Sequence, residues 1–256
     1  MGSADNTKQI PTGDFSRLRR TILVRVLLLP FVILMLICGT LVYYFAVNLY
    51  ERVEAELMGT AADHRRLIEQ FLSERVEDLQ YVTAAHHLDN ISDNQVLAAV
   101  FQRLHEKSEA FFDLGVFDCR GNHLAYCGPY DLAGKNYADA PWFVAVQKRP
   151  VYISDVFLGY RRAPHFIIAV QSGRAAEPWY LRATIDTCFF NELVENIRIG
   201  ETGEAYLINT DGVFQTRRRS GGQLMTVDLD QATYHNDTCG VISFLAETPG
   251  GKYYLY

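Results

Sequence analysis

The sequence lacks the charge of a nucleic-acid-binding protein and the common catalytic motifs. Its 24 Lys and Arg residues are outnumbered by 30 Asp and Glu residues, giving a net charge of −6, so we expect no nucleic-acid partner. It contains no His-Glu-x-x-His, no Gly-x-Ser-x-Gly and no glycine-rich phosphate loop. A histidine box and an ATP-binding pattern are also absent. The sequence therefore predicts no catalytic residue, no metal site and no cofactor.

Charge is also absent from residues 26–47, an apolar run near the start of the chain. A helix of this length spans about 30 Å, the thickness of the hydrocarbon core of a bilayer. Basic residues precede the run and acidic residues follow it: Arg17, Arg19, Arg20 and Arg25, then Glu51, Glu54 and Glu56. The positive-inside rule predicts a cytoplasmic tail over residues 1–25, a transmembrane helix over 26–48 and an extracytoplasmic region from about residue 50. A cleaved signal peptide fits poorly, because the run is long and no small-x-small cleavage site follows it.

Proline is absent from residues 51–86, and Gly59 is the one glycine there. Apolar residues recur at helical spacing, which predicts a long membrane-emergent helix over residues 49–90. The apolar stripe consists of Val53, Leu57, Ala61, Leu67, Phe71, Leu79 and Val82. It packs on the chain's own domain, or part of it pairs with a second copy as a coiled coil. We expect a homodimer through this helix.

Short strand patterns separated by turns follow the helix. A second helix, capped by Ser92 or Asp93, precedes predicted strands at 114–117 and 123–127, and a short helix begins near Pro141. Strands at 151–153, 165–171 and 180–185 and a helix at 188–197 come next. A similar pattern begins again at Gly200. A predicted strand at 205–209 and a turn at 210–212 repeat the strand and glycine turn of residues 114–121.

This order of elements predicts an α+β fold with two tandem antiparallel-sheet modules covered by helices. The first module covers residues 91–198. The second covers residues 199–256 and is too short to finish a sheet like the first. We therefore expect the chain to be a fragment of a longer protein.

The cysteines suggest an alternative of a different class. Cys38 lies in the apolar run, whereas Cys119, Cys127, Cys188 and Cys239 would face an oxidising space. Disulfides are permitted there, but the spacing fixes no pairing. Cys119, His123 and Cys127 are spaced four apart, so an anchored metal or thiol enzyme is conceivable, although Cys119 sits in the predicted turn.

Three segments together resemble the double Cache family, the PAS-like extracytoplasmic sensor domains of bacterial histidine kinases, chemoreceptors and cyclic-di-GMP enzymes. The first is the long membrane-emergent helix. The second, residues 137–143 and 152–157, is similar to the family's "R-x-W-Y … S-E-x-Y" stretch. The third, residues 199–212, is similar to the "G-x-T-G-x-x-Y-L-x-x-x-D-G" opening of the membrane-proximal module. Residues 159–165 are most similar to Cache regions of sensor histidine kinases.

The resemblance implies a small ligand bound between the sheet of the distal module and the short helix that carries an aromatic pair, here Trp142 and Phe143. In the amino-acid-binding branch, an arginine two residues before the Trp holds the ligand carboxylate, and an aspartate after the last strand holds the ammonium group. These positions are Ala140 and Asp186 in this sequence. Without the guanidinium the bidentate clamp is missing, which argues against an α-amino acid held in the usual way.

The next polar pair of the family is also altered, because its positions hold Phe157 and Gly159. Arg161, Arg162 or His165 could replace the clamp from the following loop. The candidate ligand-binding residues are therefore Trp142, Phe143, Tyr137, Asp155, Phe157, Tyr160, Arg162, His165 and Asp186.

Each candidate also has a purely structural interpretation. The aromatic pair could be core, Asp186 could cap the helix that follows it, and Asp155 could shape a turn. His165 could be an ordinary strand-edge histidine or a pH sensor, and the two arginines could be a solvated pair.

The resemblance implies a membrane-anchored ligand sensor of the bacterial inner membrane, most similar to the input region of a two-component sensor histidine kinase. Ligand binding would favour one arrangement of sheet and long helix and so bias transmembrane signalling. The alternatives are the input domain of a chemoreceptor or diguanylate cyclase, and an anchored module that binds a protein partner without a small ligand. The metal or thiol enzyme ranks last.

Overall fold

The computed structural model describes residues 13–132, 134–174, 177–195, 203–228, 245–247 and 253–255. The chain divides into two compact units, Met1–Glu56 and Leu57–Tyr256. The first unit contains the beginning of helix α1 (Gly13–Ala85). The portion Arg17–Ala85 includes an 18-residue window with a mean hydropathy of 2.8, none of it buried. Among the described residues this is the one helix whose length and composition suffice to cross a membrane.

The second unit holds the rest of α1 and two further helices, α2 (Leu88–Ile91) and α3 (Asn94–Lys107). Of the two predicted caps, Ser92 and Asp93, it is Asp93 that caps α3, because its carboxylate accepts from the backbone N–H groups of Gln95 and Val96. The apolar face of α3 is buried through Leu97, Val100 and Leu104. The helix predicted over residues 49–90 ends at Ala85, and Leu88–Ile91 form the separate helix α2.

A five-stranded antiparallel sheet follows, in the order β2-β1-β5-β4-β3. Its strands are β1 (Phe111–Phe117), β2 (His123–Cys127), β3 (Val151–Ile153), β4 (Phe166–Arg174) and β5 (Glu177–Ile185). Helix α4 (Pro141–Val146) precedes β3, and α5 (Thr187–Glu195) follows β5. The predicted α+β architecture of long helix and antiparallel sheet is confirmed. Strands β1 and β5 each begin three residues earlier than predicted, since cross-strand pairing continues to Phe111 and Glu177.

Alternation along the strands gives the sheet two different faces. One face packs against α1 and α3 and includes Leu114, Val116, Leu181 and Ala183. The opposite face, which we call the α4 face, packs against the short helix. Its apolar cluster consists of Phe117, Tyr137, Trp142, Phe143, Val146, Ile167, Ala169 and Tyr180.

The apolar stripe of the long helix is buried at its C-terminal end and exposed further upstream. Leu79 is fully buried and Val82 is 6% exposed, whereas Leu67 is 48% exposed. Phe71 is partly buried against the core. The C-terminal part of the stripe therefore packs on the chain's own domain. A dimer seam along the upstream part remains a prediction.

The two glycine turns use the same hydrogen-bonding device, as the sequence suggested. The Asp118 carboxylate accepts from the N–H groups two and four residues later, and Gly121 has a φ of +78°. The Asn209 side chain accepts from the N–H groups at the same spacing, and Gly212 has a φ of +72°. The positive φ explains why glycine stands at each turn.

The predicted second module is only partly described. Residues 203–228 contain isolated bridges, such as Ile208 with Phe214, where a strand at 205–209 was predicted. The short strands β6 (Leu245–Glu247) and β7 (Tyr253–Leu255) pair with each other. The opening of the motif at 199–202, the end of the predicted helix at 196–197 and Cys239 lie outside the described residues. The division into modules at residues 91–198 and 199–256 stays a prediction.

Candidate ligand-binding site

The α4 face supports an aromatic cluster that surrounds one arginine of β5. Pro141 occupies the first position of α4, where a missing N–H costs little. The helix presents Trp142 and Phe143, which are 3% and 1% exposed. The Arg182 Cζ lies 5.1 Å from the Phe117 ring centroid, 5.1 Å from that of Tyr137 and 5.3 Å from that of Trp142. The guanidinium is therefore held in an aromatic cage.

Next to this cage lies a buried ion pair between Asp113 of β1 and Arg161. The Arg161 guanidinium donates to Asp113 Oδ2 and to the Thr184 hydroxyl. The Tyr126 hydroxyl also donates to Asp113 Oδ2, at 2.9 Å. Asp113 is fully buried and the Arg161 side chain is 4% exposed. Burial and the neighbouring Asp113 carboxylate raise the pKa of Tyr126 well above its usual range.

Several buried polar atoms on this face have no hydrogen-bond partner within the described part of the chain. They are Asp113 Oδ1, His123 Nε2, the Tyr137 hydroxyl, and Nε and Nη2 of Arg182. Arg182 Nη2 lies 4.0 Å from Asp113 Oδ1, too far for a hydrogen bond. Buried polar groups in native proteins are nearly always hydrogen-bonded, so this concentration of unpaired atoms marks a place where a polar molecule could bind.

Two histidines border the same region in their neutral form. Burial, reinforced by the charges of nearby arginines, lowers the pKa of both His123 and His165 to about 4. The Nδ1 atom of His123 donates to the Leu132 carbonyl at 2.9 Å, and that of His165 donates to the Ala163 carbonyl at 2.8 Å. Nε2 of each ring therefore carries a lone pair and can accept a hydrogen bond.

Stability should fall as the pH drops from 6.5 towards 4. In that pH window the histidines of the unfolded chain bind protons while the buried histidines of the folded chain do not. Proton binding therefore stabilises the unfolded state and lowers the free energy of unfolding. Each histidine contributes at most about 1.4 kcal/mol per pH unit. Thermal unfolding at pH 7.5 and pH 5.0 measures the effect, and His165→Gln should reduce the difference. The exposed His87 provides the control variant, His87→Gln, which should retain it. An unchanged slope in His165→Gln would contradict this assignment.

Five of the predicted site residues border or form this face besides Trp142. Phe143 and Tyr137 belong to its apolar cluster, with Phe157 partly buried against it. The His165 ring lies 4.4 Å from the Phe157 ring. Tyr160, 59% exposed, packs edge-on against Tyr137 at 5.2 Å, at the rim of the cluster.

The structure does not bring the other three predicted residues into contact with this cluster. Asp155 is exposed and accepts from the Asn209 amide at 2.9 Å. Arg162 is exposed, with a left-handed φ of +54°. The Asp186 carboxylate accepts from the Cys188 backbone N–H at 2.7 Å, the geometry of a cap for α5. The solvated interpretation therefore fits Arg162 but not Arg161.

Asp186 instead lines a separate groove of about 540 Å³ between α3, the start of β1 and α5. The groove residues are Phe101, His105, Glu109, Phe111, Phe112, Pro129, Asp186, Cys188, Phe189 and Glu192. It provides an alternative location for a ligand.

The cysteines and His123 do not converge. Cys119 is exposed, whereas the buried His123 ring stacks on Phe117 at 4.3 Å. Cys127 packs against the core on the α1 and α3 side, and burial raises its pKa. The four cysteines in the described ranges are all free thiols. Across the same ranges, no three His, Cys, Asp or Glu side chains are grouped as metal ligands.

The sequence did not predict Asp113 and Arg182 as site residues. Arg161 was considered as a replacement for the missing clamp but was not among the candidate ligand-binding residues. One signal was available for Arg182, since it is the one charged residue within the apolar pattern at 180–185 and shares its parity with Tyr180. Asp113 immediately precedes the predicted strand at 114–117, so its burial was hidden by the strand boundary.

The sequence matches no protein-family model, and no curated protein matches it significantly. Solved structures share its fold at low identity. The ligand-binding domain of the Pseudomonas fluorescens chemoreceptor CtaA, in complex with L-isoleucine, is 17% identical with a TM-score of 0.60, over 80% of this chain and 84% of that one. The ligand-binding domain of the Pseudomonas aeruginosa amino acid chemoreceptor PctB, in complex with L-Gln, is 16% identical with a TM-score of 0.58, over 75% of this chain and 78% of that one.

A third similar structure is the extracellular domain of vpHK1S-Z8, named as a candidate histidine kinase. It is 10% identical with a TM-score of 0.52, over 65% of this chain and 69% of that one. At these identities the comparisons establish fold. The chain has the fold of the Cache-type ligand-binding sensory domains of chemoreceptors and histidine kinases.

Proposed function

We propose that this chain is the membrane-anchored, extracytoplasmic ligand-sensing region of a bacterial signal-transduction receptor. The observation that carries the proposal is the set of unpaired polar atoms on the α4 face, inside an aromatic cluster. Ligand sites in proteins combine mostly apolar walls with a few placed polar groups. In this proposal the N-terminus is cytoplasmic, α1 crosses the inner membrane and the sheet lies outside the cytoplasm.

The long helix would carry the signal. Leu79 and Val82 of α1 belong to the core on the opposite face of the sheet from α4. A ligand that favours one arrangement of the sheet would thereby bias the helix, provided it binds the two arrangements with different affinity. A homodimer through the exposed part of the helical stripe would suit this route.

The output we propose is a two-component histidine kinase, because residues 159–165 are most similar to Cache regions of sensor kinases. A chemoreceptor is the second candidate, since the domains of CtaA and PctB share the fold. A diguanylate cyclase is a third candidate for the output, and a partner-binding module without a small ligand is the non-sensor alternative.

A thermal-shift screen of the chain in a mild non-ionic detergent tests ligand sensing. The panel contains amino acids, amines, carboxylates, nucleobases and sugars. A ligand at a hundred times its dissociation constant adds about 2.7 kcal/mol, which raises Tm by about 5–10 °C in a domain of this size. No shift with any class in a folded sample would contradict the proposal and favour the partner-binding module.

The two tryptophans of the chain provide a matched control for the location of the site. Trp142 lies on the α4 face and Trp179 on the opposite face. Trp142→Phe should lose most of the ligand-induced shift, and Trp179→Phe should retain it. Equal shifts in both variants would place the ligand elsewhere, with the groove at Asp186 as the alternative.

A further inference from the structure

Arg182 is a buried cation with two donor atoms that are not used by the described residues. It is 3% exposed, and its Nε and Nη2 find no hydrogen-bond acceptor in the described part of the chain. Its ring contacts are with aromatic faces, which attract a cation but accept no strong hydrogen bond. A guanidinium desolvated in this way needs an acceptor to offset the loss of water.

The charges around it leave a positive excess. Arg161 and Arg182 face a single buried carboxylate, Asp113, and Arg161 already donates to its Oδ2. The two bordering histidines are neutral near pH 7, as described above. Lys135 is a further cation at the rim, where its Nζ lies 5.9 Å from the Tyr160 ring. The buried groups Asp113, Arg161 and Arg182 together therefore carry one uncompensated positive charge, which a singly charged anion would neutralise.

Small residues flank Arg182 across the strands. Its cross-strand neighbours are Gly115 on β1 and Ala169 on β4. A Cβ placed on Gly115 would lie 2.5 Å from His123 Nε2 and 3.0 Å from the Phe117 ring, so the absence of a side chain at residue 115 allows these two rings to pack over the sheet. Glycine thereby places the His123 ring next to Arg182.

The unpaired atoms indicate which chemical groups the ligand carries. Arg182 offers donors in the planar fork that matches a carboxylate, and the Tyr137 hydroxyl is a further donor. His123 Nε2 and Asp113 Oδ1 are acceptors. A ligand that forms hydrogen bonds with all of these atoms has a carboxylate and, close to that carboxylate, a hydrogen-bond donor such as a hydroxyl or amino group.

On these grounds we infer that Arg182 of β5 is the anion receptor of the site and binds the carboxylate of a small organic acid. The carboxylate is thus recognised from the sheet rather than from the short helix, where Ala140 offers no charge. His123 Nε2 accepts from the donor group next to the carboxylate. This inference rests on the proposed function of the α4 face as a ligand site.

Two series of compounds with matched skeletons test the inference by isothermal titration calorimetry on the chain in detergent. The first is L-isoleucine, L-isoleucinamide, 2-hydroxy-3-methylpentanoate and 3-methylpentanoate. The second is L-alanine, L-alaninamide, L-lactate and propionate. Inorganic phosphate is included as a non-carboxylate anion, and the strongest compound of the wider screen is titrated beside its primary amide. Binding should require the carboxylate, so each amide should bind about 10- to 100-fold more weakly than its acid. Phosphate should bind more weakly than the acids, because it lacks the apolar skeleton that contacts the aromatic walls of the site.

Three arginine variants separate recognition from structure. Arg182→Met should weaken carboxylate binding by about 10- to 100-fold, whereas Arg162→Met, at an exposed position, should leave it unchanged. Without ligand, Arg182→Met should melt at the wild-type temperature or above it, because it removes a buried guanidinium whose Nε and Nη2 lack a hydrogen-bond acceptor. Arg161→Met should melt lower, because it breaks the ion pair with Asp113.

The outcomes distinguish this inference from the proposed function. A neutral or cationic ligand whose affinity survives Arg182→Met would overturn the anion receptor and leave the sensor standing. A ligand-free Arg182→Met chain that melts as low as Arg161→Met would also overturn it, since Arg182 would then be a structural partner of Asp113. The absence of any ligand in the wider screen would overturn the proposed function itself.

Discussion

The Arg161→Met variant is expected to lose about 1.5–3 kcal/mol of unfolding free energy, because the fully buried Asp113 carboxylate loses the guanidinium that donates to its Oδ2, while Arg182 Nη2 lies 4.0 Å from Oδ1 and makes no hydrogen bond. For a domain of this size the corresponding drop in Tm is about 3–12 °C. Thermal unfolding followed by circular dichroism in detergent measures it. The neighbouring Arg162→Met is the matched control and should change stability by less than about 0.5 kcal/mol, since Arg162 is exposed.

A second substitution tests the physical cause of that loss. Asp113→Asn in the Arg161→Met background removes the carboxylate that has lost its hydrogen bond from Arg161 and should restore part of the lost stability, because a neutral amide costs less to bury than a carboxylate. If Arg161→Met melts at the same temperature as Arg162→Met, the buried ion pair does not exist in solution. If Asp113→Asn restores nothing, the loss has another origin than the broken ion pair of Asp113.

Leu79→Ala is expected to cost about 2–5 kcal/mol, because Leu79 is fully buried where the long helix meets the sheet. Leu67→Ala is the matched control on the same helix. Leu67 is 48% exposed, and alanine is a better helix former, so its effect should lie within about 0.5 kcal/mol. Equal effects at the two positions, measured by denaturant unfolding, would contradict packing of the C-terminal part of α1 on the domain and the signalling route built on it.

Local pattern predicted most of the elements. Strands β2 and β3 lie where alternation and turn residues placed them, and Asp93 caps α3 as its side-chain chemistry indicated. The two turns at Gly121 and Gly212 share one hydrogen-bond scheme, because Asp and Asn side chains can bond the backbone two residues on. These features depend on residues that are close to one another in the chain, so they can be predicted from one sequence.

The candidate site was harder to predict because it depends on pairing across strands. Arg182 lies between Gly115 and Ala169, which are distant in sequence and meet it only through the register of β1, β5 and β4. The adjacent Arg161 and Arg162 have opposite environments, and the left-handed backbone at Arg162 separates them. The strand expected at 205–209 forms only an isolated bridge at Ile208, although the same alternation produced a strand in the first module.

The central claim is that a small ligand binds on the α4 face. Hydrogen–deuterium exchange of the full chain, with and without the strongest compound from the screen, tests it most directly. The account predicts slower exchange at residues 137–146, around Tyr137 and α4, and at residues 157–165, which contain Arg161. Protection confined to residues 101–112 and 186–192, which line the groove at Asp186, would contradict it.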